Sequence, residues 1–353
     1  MRSLKKIKIA GVQLKNRICI APMCQYSANK GNPSDWHYNH LGNLMASGAG
    51  LLMVESTAVN KQGMISKNDL CLETNKNLFS FKKLIKYLKS KSDTKIGIQL
   101  SHAGRKGSAE IPWIKSNTSL KKKYAWKTIA PSAIRRDLKW PIPKEMNQAD
   151  IKKITKSFIK SSMKANKIGF DCLEIHMAHG YLLHQFFSPI SNKRKDFYGN
   201  SLINRTKLLL DIAKKIRKVW PKKKILGARI NGTDWLKNGT SIDDCIFLSR
   251  KLNEIGFNYV CISSGGIIPK TKIKFKEGYQ VSLAGKVKKN TNILVKTTGM
   301  IKNLKHAEKI LLNKNADLIS FGRKFINSPN WLIKNLISHK KEFKLPNQYK
   351  RCF

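Results

Sequence analysis

The sequence predicts a single α/β domain folded as a (β/α)8 barrel, and three observations support this prediction. Eight short apolar runs recur along the 353 residues, lysine-rich segments of helical period separate them, and most of the runs end at a polar or glycine cluster. The length suits one barrel, because barrels of about 250 residues commonly grow by insertions. We therefore interpret residues 1–353 as one domain.

The elements follow one another in a regular order. Residues 1–11 alternate charged and apolar side chains as a strand does, which predicts an N-terminal hairpin ahead of the barrel. The segments between later strands have helical period: in 150–167, Ile151, Ile154 and Phe158 form a stripe that would pack on the barrel wall. The eight predicted barrel strands are Arg17–Met23, Leu51–Val59, Ile96–His102, Cys172–Ala178, Ile225–Asn231, Tyr259–Ser264, Ile293–Gly299 and Leu318–Arg323.

Two loops are longer than a minimal barrel needs, namely 103–146 after the third strand and 180–205 after the fourth. Loops of this length in a compact domain are usually functional or disordered. Trp113, Trp126 and Trp140 favour an ordered lid in the first of them. The strands carry their polar residues at their carboxyl ends, where the active sites of such barrels lie.

The net charge is +48, since 69 Lys and Arg outnumber 21 Asp and Glu. Only 12 of the 69 are Arg, whereas proteins that bind phosphates in bidentate fashion favour Arg, so this composition argues against nucleic acid as a partner. An apolar fraction of 41% excludes a disordered polycation. Seven of the eight strands have no internal Lys, which indicates that most of the positive charge lies on the solvated helices and loops. Lys296 is the exception, and we expect it near the barrel mouth.

The remaining composition predicts a cytoplasmic protein with reduced thiols. No apolar stretch is long enough to cross a membrane, and residues 1–11 lack the apolar core of a secretory signal. The seven cysteines are odd in number and contain no C-x-x-C pair, which suits neither a zinc site nor a disulfide framework.

The segment that ends the fourth strand carries the strongest chemical signal, because His176, His179 and Tyr181 lie within six residues. A metal site would need a third ligand, and none is evident nearby. The two histidines could instead be structural. They could also donate hydrogen bonds to one substrate oxygen while Tyr181 supplies a proton. Spacing alone does not decide among these three interpretations.

Several motifs together resemble the old yellow enzyme family. Ala-Pro-Met-Cys-Gln-Tyr at 21–26, Gln-Leu-Ser-His-Ala-Gly-Arg-Lys at 99–106 and the segment 176–181 lie at the ends of the expected strands. More narrowly, they are similar to the bacterial branch of Cys-containing ene-reductases, which includes NADPH dehydrogenases and xenobiotic reductases. The resemblance continues through Phe-Ser-Pro at 187–189 to Gln348 and Arg351 near the terminus.

The resemblance implies a noncovalent FMN across the barrel mouth and NAD(P)H as reductant. Cys24 would tune the flavin potential, while Arg229 would lie beside the flavin N1 and O2 edge, where reduction places negative charge. Gln99 and Thr57 would contact the flavin ring, as would Ala21, Pro22 and Met23. The remaining implied contacts are to the phosphate, from Ser264, Gly265, Gly299, Gly322 and Arg323.

The resemblance also implies two half-reactions at one site. NAD(P)H would reduce FMN and leave, and an activated alkene such as an enone, enal or nitroalkene would then bind. His176 and His179 would hold its oxygen, Tyr26 would line the substrate side, and Tyr181 would protonate the α-carbon after hydride transfer to the β-carbon.

Near the C-terminus, Arg351 resembles an arginine that reaches into the neighbouring subunit's active site, which predicts a homodimer or a dimer of dimers with the tail 344–353 at the interface. The chain ends Cys352-Phe353, where relatives commonly carry Trp. Two alternatives follow from the charge: an FMN-dependent tRNA-dihydrouridine synthase, and a barrel that only binds polyanions.

Overall fold

The computed structural model describes residues 1–269, 271–339, 347 and 351. A closed barrel of eight parallel strands forms its centre, with each strand hydrogen-bonded to the next barrel strand in the chain and the last to the first. The strands of the described part are β1 (Ile7–Ile9), β2 (Val12–Leu14), β3 (Ile18–Ile20), β4 (Leu51–Ala58), β5 (Lys95–Ser101), β6 (Ile129–Ala130), β7 (Lys144–Glu145), β8 (Cys172–Met177), β9 (Ile225–Asn231), β10 (Tyr259–Ser263), β11 (Leu294–Thr297) and β12 (Leu318–Phe321).

The barrel consists of β3, β4, β5 and β8 to β12, so the predicted fold class is confirmed. Each of the eight predicted strands overlaps one of these strands, although β5 begins at Lys95, one residue earlier than predicted. The first is shorter than predicted, because the chain leaves the ladder after Ile20 and only the Ala21 amide still donates to the Phe321 carbonyl, at 2.8 Å. Residues 22–26 are therefore free to form part of the mouth.

Helices surround the barrel and fill the crossovers between its strands. The described part contains α1 (Asp35–Met45), α2 (Asn75–Lys91), α3 (Pro112–Lys115), α4 (Gln148–Ile168), α5 (Leu182–Phe187), α6 (Leu202–Val219), α7 (Ile242–Ile255), α8 (Val281–Asn290), α9 (Leu304–Leu312), α10 (Arg323–Asn327) and α11 (Trp331–Ser338). In α4 a capping box at Asn147 begins the helix, left-handed Gly169 ends it, and Ile151, Ile154 and Phe158 are buried as predicted.

The N-terminal hairpin closes one end of the barrel. Strands β1 and β2 pair in antiparallel fashion, and Ile9 and Leu14 join an apolar cluster with Leu51, Ile225 and Leu318. These last three residues are the first of β4, β9 and β12, so the hairpin covers the amino ends of the strands. The opposite face, at the carboxyl ends, is left for the site.

Lys296 lies inside the barrel, completely buried, and not at the mouth where we expected it. Its Nζ donates to Glu174 Oε2 at 2.6 Å and lies 3.3 Å from the Tyr259 hydroxyl. The Tyr259 hydroxyl donates to the same carboxylate at 2.8 Å, and Gln99 Nε2 donates to Glu174 Oε1 at 2.7 Å. The ion pair is thus saturated with hydrogen bonds, which is the condition under which a buried charge pair is tolerated.

The two long loops contain regular structure. Segment 103–146 includes α3 and the short pair β6 and β7, and Arg105 fixes it by donating to the carbonyls of Ile134 and Ile267 at 3.2 and 2.9 Å. The second loop begins with α5. Within the described residues, no helix combines the length and the apolar composition that crossing a membrane requires.

Candidate active site

His176 is the penultimate residue of β8, the fourth barrel strand, and faces two other predicted site residues. Its ring centroid lies 5.0 Å from that of His179 and 4.7 Å from that of Tyr181, both in edge-on geometry. Its Nδ1 accepts the backbone N–H of Ala178 at 3.2 Å. A neutral imidazole that accepts at Nδ1 carries its proton on Nε2, so His176 has a donor to offer a ligand.

His179 is held from two sides. Its backbone N–H donates to Asn231 Oδ1 at 3.1 Å, and its Nε2 lies 2.6 Å from the Ser263 hydroxyl. If that hydroxyl donates to Nε2, Nδ1 carries the proton and becomes the second donor. His179 also has a φ of 59°, an uncommon backbone conformation for a non-glycine residue that is typical of constrained functional sites.

The loop that carries His179 is fixed by a buried network beneath it. The Gly180 N–H donates to His184 Nδ1 at 2.8 Å, and His184 Nε2 lies 3.0 Å from Asp234 Oδ1. Burial alone would raise the pKa of Asp234, but His184 and donors from Ser188 and Thr240 lower it below its usual range. The carboxylate therefore stays ionised and anchors the loop.

Gly180 has no acceptable substitute at this position. Its φ is 72°, and a Cβ there would lie 2.2 Å from the carbonyl oxygen of Gly266. The loops after β8 and β10 thus touch through their backbones, which brings His179 within reach of Ser263.

The protonation states suit proton and hydrogen-bond donation. Burial first, and then the positive charge of Arg229, hold the pKa of both His176 and His179 well below the ordinary value. Both rings are therefore neutral at pH 7. Burial raises the pKa of Tyr181 well above its ordinary value, so its hydroxyl keeps its proton.

Cys24, Tyr26 and Tyr181 pack together against an apolar cluster that includes Trp140 of the long insertion. Burial, followed by the carboxylates of Glu55 and Asp69, raises the pKa of Cys24 well above its ordinary value, so it is a thiol and not a thiolate at neutral pH. Tyr26 adopts a φ of 48°, a second constrained backbone at the mouth.

The inner wall of the mouth fits a flavin. Arg229 is the register partner of His176 on the adjacent strand, and its buried Nε has no hydrogen-bond partner in the described part of the chain. An unpaired buried guanidinium N–H is costly unless a ligand accepts from it. Gln99 donates its Nε2 to Glu174, which leaves its carbonyl oxygen as an acceptor, whereas Thr57 Oγ1 already donates to the Glu55 carbonyl at 3.0 Å.

The predicted phosphate residues follow three adjacent strands, β10, β11 and β12. Gly265 and Gly299 have φ of 71° and 105°, and a Cβ on Gly299 would lie 2.8 Å from the Gln280 side chain. Ser264 is buried, and Arg323 is exposed directly after Gly322. Gly322 also adjoins the first strand, since a Cβ there would lie 3.3 Å from Met23 Sδ and 3.8 Å from Ala21 Cβ. Backbone turns of this kind form concave sites for phosphate.

The structure gives contacts at the site to residues whose roles the sequence did not indicate. Ser263 and His184 orient the histidine loop, and Tyr279 lies within electrostatic range of both Arg229 and Arg323. Lys106 of the 99–106 motif donates to the His179 carbonyl at 2.7 Å. Apart from the contact between Gly180 and His184, which are four residues apart, these contacts join residues that are distant in sequence.

Little of the C-terminal tail is described. Of residues 344–353 the structure describes Asn347 and Arg351, and both are exposed in the single chain. Gln348, Cys352 and Phe353, which belong to the tail predicted at the interface, lie outside the described residues.

Known proteins provide an independent comparison. A profile of the NADH:flavin oxidoreductase / NADH oxidase family matches residues 4–341. The chain is 40% identical over 341 residues to an NADH:flavin oxidoreductase of Gibberella zeae, covering 92% of this chain and 82% of that protein. It is 37% identical over 348 residues to an NADPH dehydrogenase of Listeria welshimeri, covering 98% and 97%.

Solved structures show the same fold. The old yellow enzyme homologue from Zymomonas mobilis matches with a TM-score of 0.80 at 20% identity, over 98% of this chain and 94% of that one. Morphinone reductase matches with a TM-score of 0.78 at 19% identity, over 98% and 92%.

Proposed function

This chain is an FMN-dependent NAD(P)H oxidoreductase of the old yellow enzyme family, and on that premise we propose that it reduces the C=C bond of activated alkenes. The substrates would be α,β-unsaturated carbonyl compounds and nitroalkenes. The observation that carries the proposal is the pair of neutral imidazoles of His176 and His179, whose ring centroids lie 5.0 Å apart, beside a protonated Tyr181.

The bound FMN would supply hydride transfer, from NAD(P)H in one half-reaction and to the alkene β-carbon in the other. His176 and His179 would donate to the carbonyl or nitro oxygen of the substrate. Negative charge develops on that oxygen as the hydride arrives, and fixed neutral donors stabilise it without a change of their own protonation.

Tyr181 would then protonate the α-carbon. Its raised pKa keeps the proton in place until a strongly basic carbon centre forms, and the packing of Cys24 and Tyr26 against the same cluster limits water at the hydroxyl. Because reductant and alkene would use one mouth in turn, we propose ping-pong kinetics.

For the cofactor, Arg229 and the carbonyl oxygen of Gln99 would face the flavin pyrimidine edge, with Ala21 to Cys24 along the ring. The turns at Ser264, Gly265 and Gly299, together with Gly322 and Arg323, would hold the phosphate. The buried unpaired Nε of Arg229 and the backbone turns support these assignments. Thr57 keeps its proposed ring contact, although its hydroxyl already has a backbone acceptor.

We also propose that the protein is a homodimer or a dimer of dimers in which Arg351 contacts the partner's mouth. Its exposure in the single chain is compatible with such a contact. Light scattering and steady-state kinetics of wild type and Arg351→Ala would test this. We expect the variant to keep the mass of the wild-type assembly but to have a higher KM for the alkene. A monomeric wild type would contradict the proposal.

Anaerobic turnover tests the main proposal. Purified protein with NADPH and 2-cyclohexenone should form cyclohexanone. The double variant His176→Ala, His179→Ala should retain FMN but lose both turnover and phenol binding. A protein that oxidises NADPH without forming cyclohexanone, or a double variant that retains turnover, would contradict it. Steeply salt-dependent tRNA binding without enone reduction would favour the dihydrouridine synthase alternative.

A further inference from the structure

Two cationic side chains border the mouth next to Tyr181. The first is Lys106, whose Nζ lies 4.9 Å from the centroid of the Tyr181 ring. It donates to the His179 carbonyl at 2.7 Å and lies 3.5 Å from the Gly266 carbonyl. Both partners are neutral carbonyl oxygens, so these two contacts supply no countercharge to Lys106.

The second is Arg136, which belongs to the long insertion. Its guanidinium carbon lies 4.7 Å over the ring of Trp140, and its Nη2 donates to Asn117 Oδ1 at 3.0 Å. Trp140 belongs to the apolar cluster against which Tyr26 and Tyr181 pack, so Arg136 lies over a residue of that cluster. Its buried Nε has no hydrogen-bond partner among the described residues.

The charges of these residues act on one another and on the acid. Burial, then the charges of Arg136 and Arg105, lower the pKa of Lys106 to about 7. Burial is the main cause of the raised pKa of Tyr181, and the Arg136 charge opposes it. The proximity of these like charges is therefore unfavourable.

Acidic residues do not relieve this repulsion directly. Among the described residues, no carboxylate oxygen lies within 4.0 Å of a charged nitrogen of Lys106, Arg136 or Arg105. Asp69 is close to the mouth, but its carboxylate accepts from the Ile65 and Ser66 amides and the Ser66 hydroxyl. The mouth thus has an excess of partly desolvated positive charge.

We propose that Lys106 and Arg136 form an anion subsite, and that the alkene preferred by this enzyme carries a carboxylate in addition to the oxygen held by the histidines. This inference rests on the proposed function. A carboxylate would relieve the repulsion between the two cations and accept from the unpaired Nε–H of Arg136, in charge-assisted hydrogen bonds that a neutral alkene cannot make. Such charge complementarity selects among ligands of equal shape.

Phenolic ligands provide the test, because they require no turnover. The holoenzyme is titrated with 4-hydroxybenzoate and with its methyl ester, following the long-wavelength absorbance band that a phenol forms on the flavin. The variants are Lys106→Met and Arg136→Gln. Lys139→Met is the matched control, since Lys139 is an exposed lysine of the same insertion.

We expect the acid-to-ester affinity ratio to fall about tenfold or more in Lys106→Met and in Arg136→Gln, as for loss of a charge-assisted hydrogen bond, and to stay within about twofold of wild type in Lys139→Met. An acid-to-ester ratio that stays at the wild-type value in both variants would overturn the inference. If both affinities fell by the same factor, the two residues would be merely structural. A yellow protein in which neither phenol produces the band would instead overturn the proposed histidine site.

A second possible source of the anion is the 2′-phosphate of NADPH, which NADH lacks. The rates of anaerobic flavin reduction by NADPH and by NADH are therefore measured for each variant. We expect their ratio to be that of wild type. A lower NADPH-to-NADH ratio in Lys106→Met and Arg136→Gln would assign the subsite to the dinucleotide and overturn the assignment to the alkene.

Discussion

Replacement of Lys296 by Met should destabilise the protein strongly, because it leaves the carboxylate of Glu174 buried without its cation. The substitution keeps the side-chain length and removes the ammonium that lies 2.6 Å from Glu174 Oε2, with both side chains completely buried. Removal of one partner from a buried ion pair costs about 3–5 kcal/mol. An unfolding entropy of about 2.1 cal/mol/K per residue gives roughly 1.4 °C per kcal/mol for a chain of this size, so we expect Tm to fall by about 4–7 °C.

Two further variants separate the ion pair from general effects of the substitution. In Glu174→Gln with Lys296→Met, both charges are removed and Gln99 and Tyr259 keep a polar partner, so most of the lost stability should return. Lys288→Met removes a partly exposed partner of Asp317, 2.9 Å away, and should cost less than about 1 kcal/mol.

The pH dependence gives a second check. In the native protein burial would raise the pKa of Glu174, but Lys296 lowers it below the usual range, so its stabilising contribution is present above the unfolded pKa and is lost as pH falls. Without Lys296, burial dominates and the pKa is raised, so protonation at lower pH stabilises the variant relative to its state at pH 8. The difference in Tm should therefore narrow from about pH 8 to about pH 5.

Calorimetry of the FMN-loaded proteins measures these shifts. A Lys296→Met variant within about 1 °C of wild type would refute the reasoning. So would a double variant no more stable than the single one, or a difference in Tm that widens on acidification.

Three further predictions concern the site. His176→Ala should lower kcat/KM for cyclohexenone by about 10²–10³, as for loss of an oxyanion donor, in anaerobic assays; a loss below threefold would argue against a donor role. Tyr181→Phe should slow alkene reduction by about 10²–10⁴ while flavin reduction by NADPH stays near wild type in stopped flow, and equal slowing of both would count against a role as acid. Gly180→Ala should cost about 2–4 kcal/mol in urea unfolding, because its Cβ would lie 2.2 Å from the Gly266 oxygen. Gly169→Ala is its control: it has a φ of 99° but no atom within 4 Å of the new Cβ, so a cost as large there would refute the clash.

The barrel could be predicted from sequence because parallel strands that are buried on both faces read as continuous apolar runs. Polar or glycine clusters end most of the runs, so eight strands could be counted. No comparable sequence pattern shows how deep in the barrel a side chain of a strand lies. Lys296 occupies a strand, and only the stagger of the closed barrel brings it to Glu174, which lies 122 positions away in sequence.

In the loop that carries His179, too, some contacts could be predicted from the sequence and others depend on the fold. His176, His179 and Tyr181 are close in sequence, so their proximity was predictable. Ser263 reaches His179 from another strand, and this contact depends on the close approach of Gly180 to Gly266. The position of Arg136 depends on the path of an insertion with little regular structure, which no periodicity indicates.

The most direct test of the proposed alkene reduction is a single turnover without oxygen. Protein reduced with one equivalent of NADPH is mixed with 2-cyclohexenone, and the flavin absorbance is followed. We predict that the flavin reoxidises with formation of one equivalent of cyclohexanone, and that the variant lacking His176 and His179 stays reduced. Flavin that reoxidises only when oxygen is admitted would contradict the proposed function.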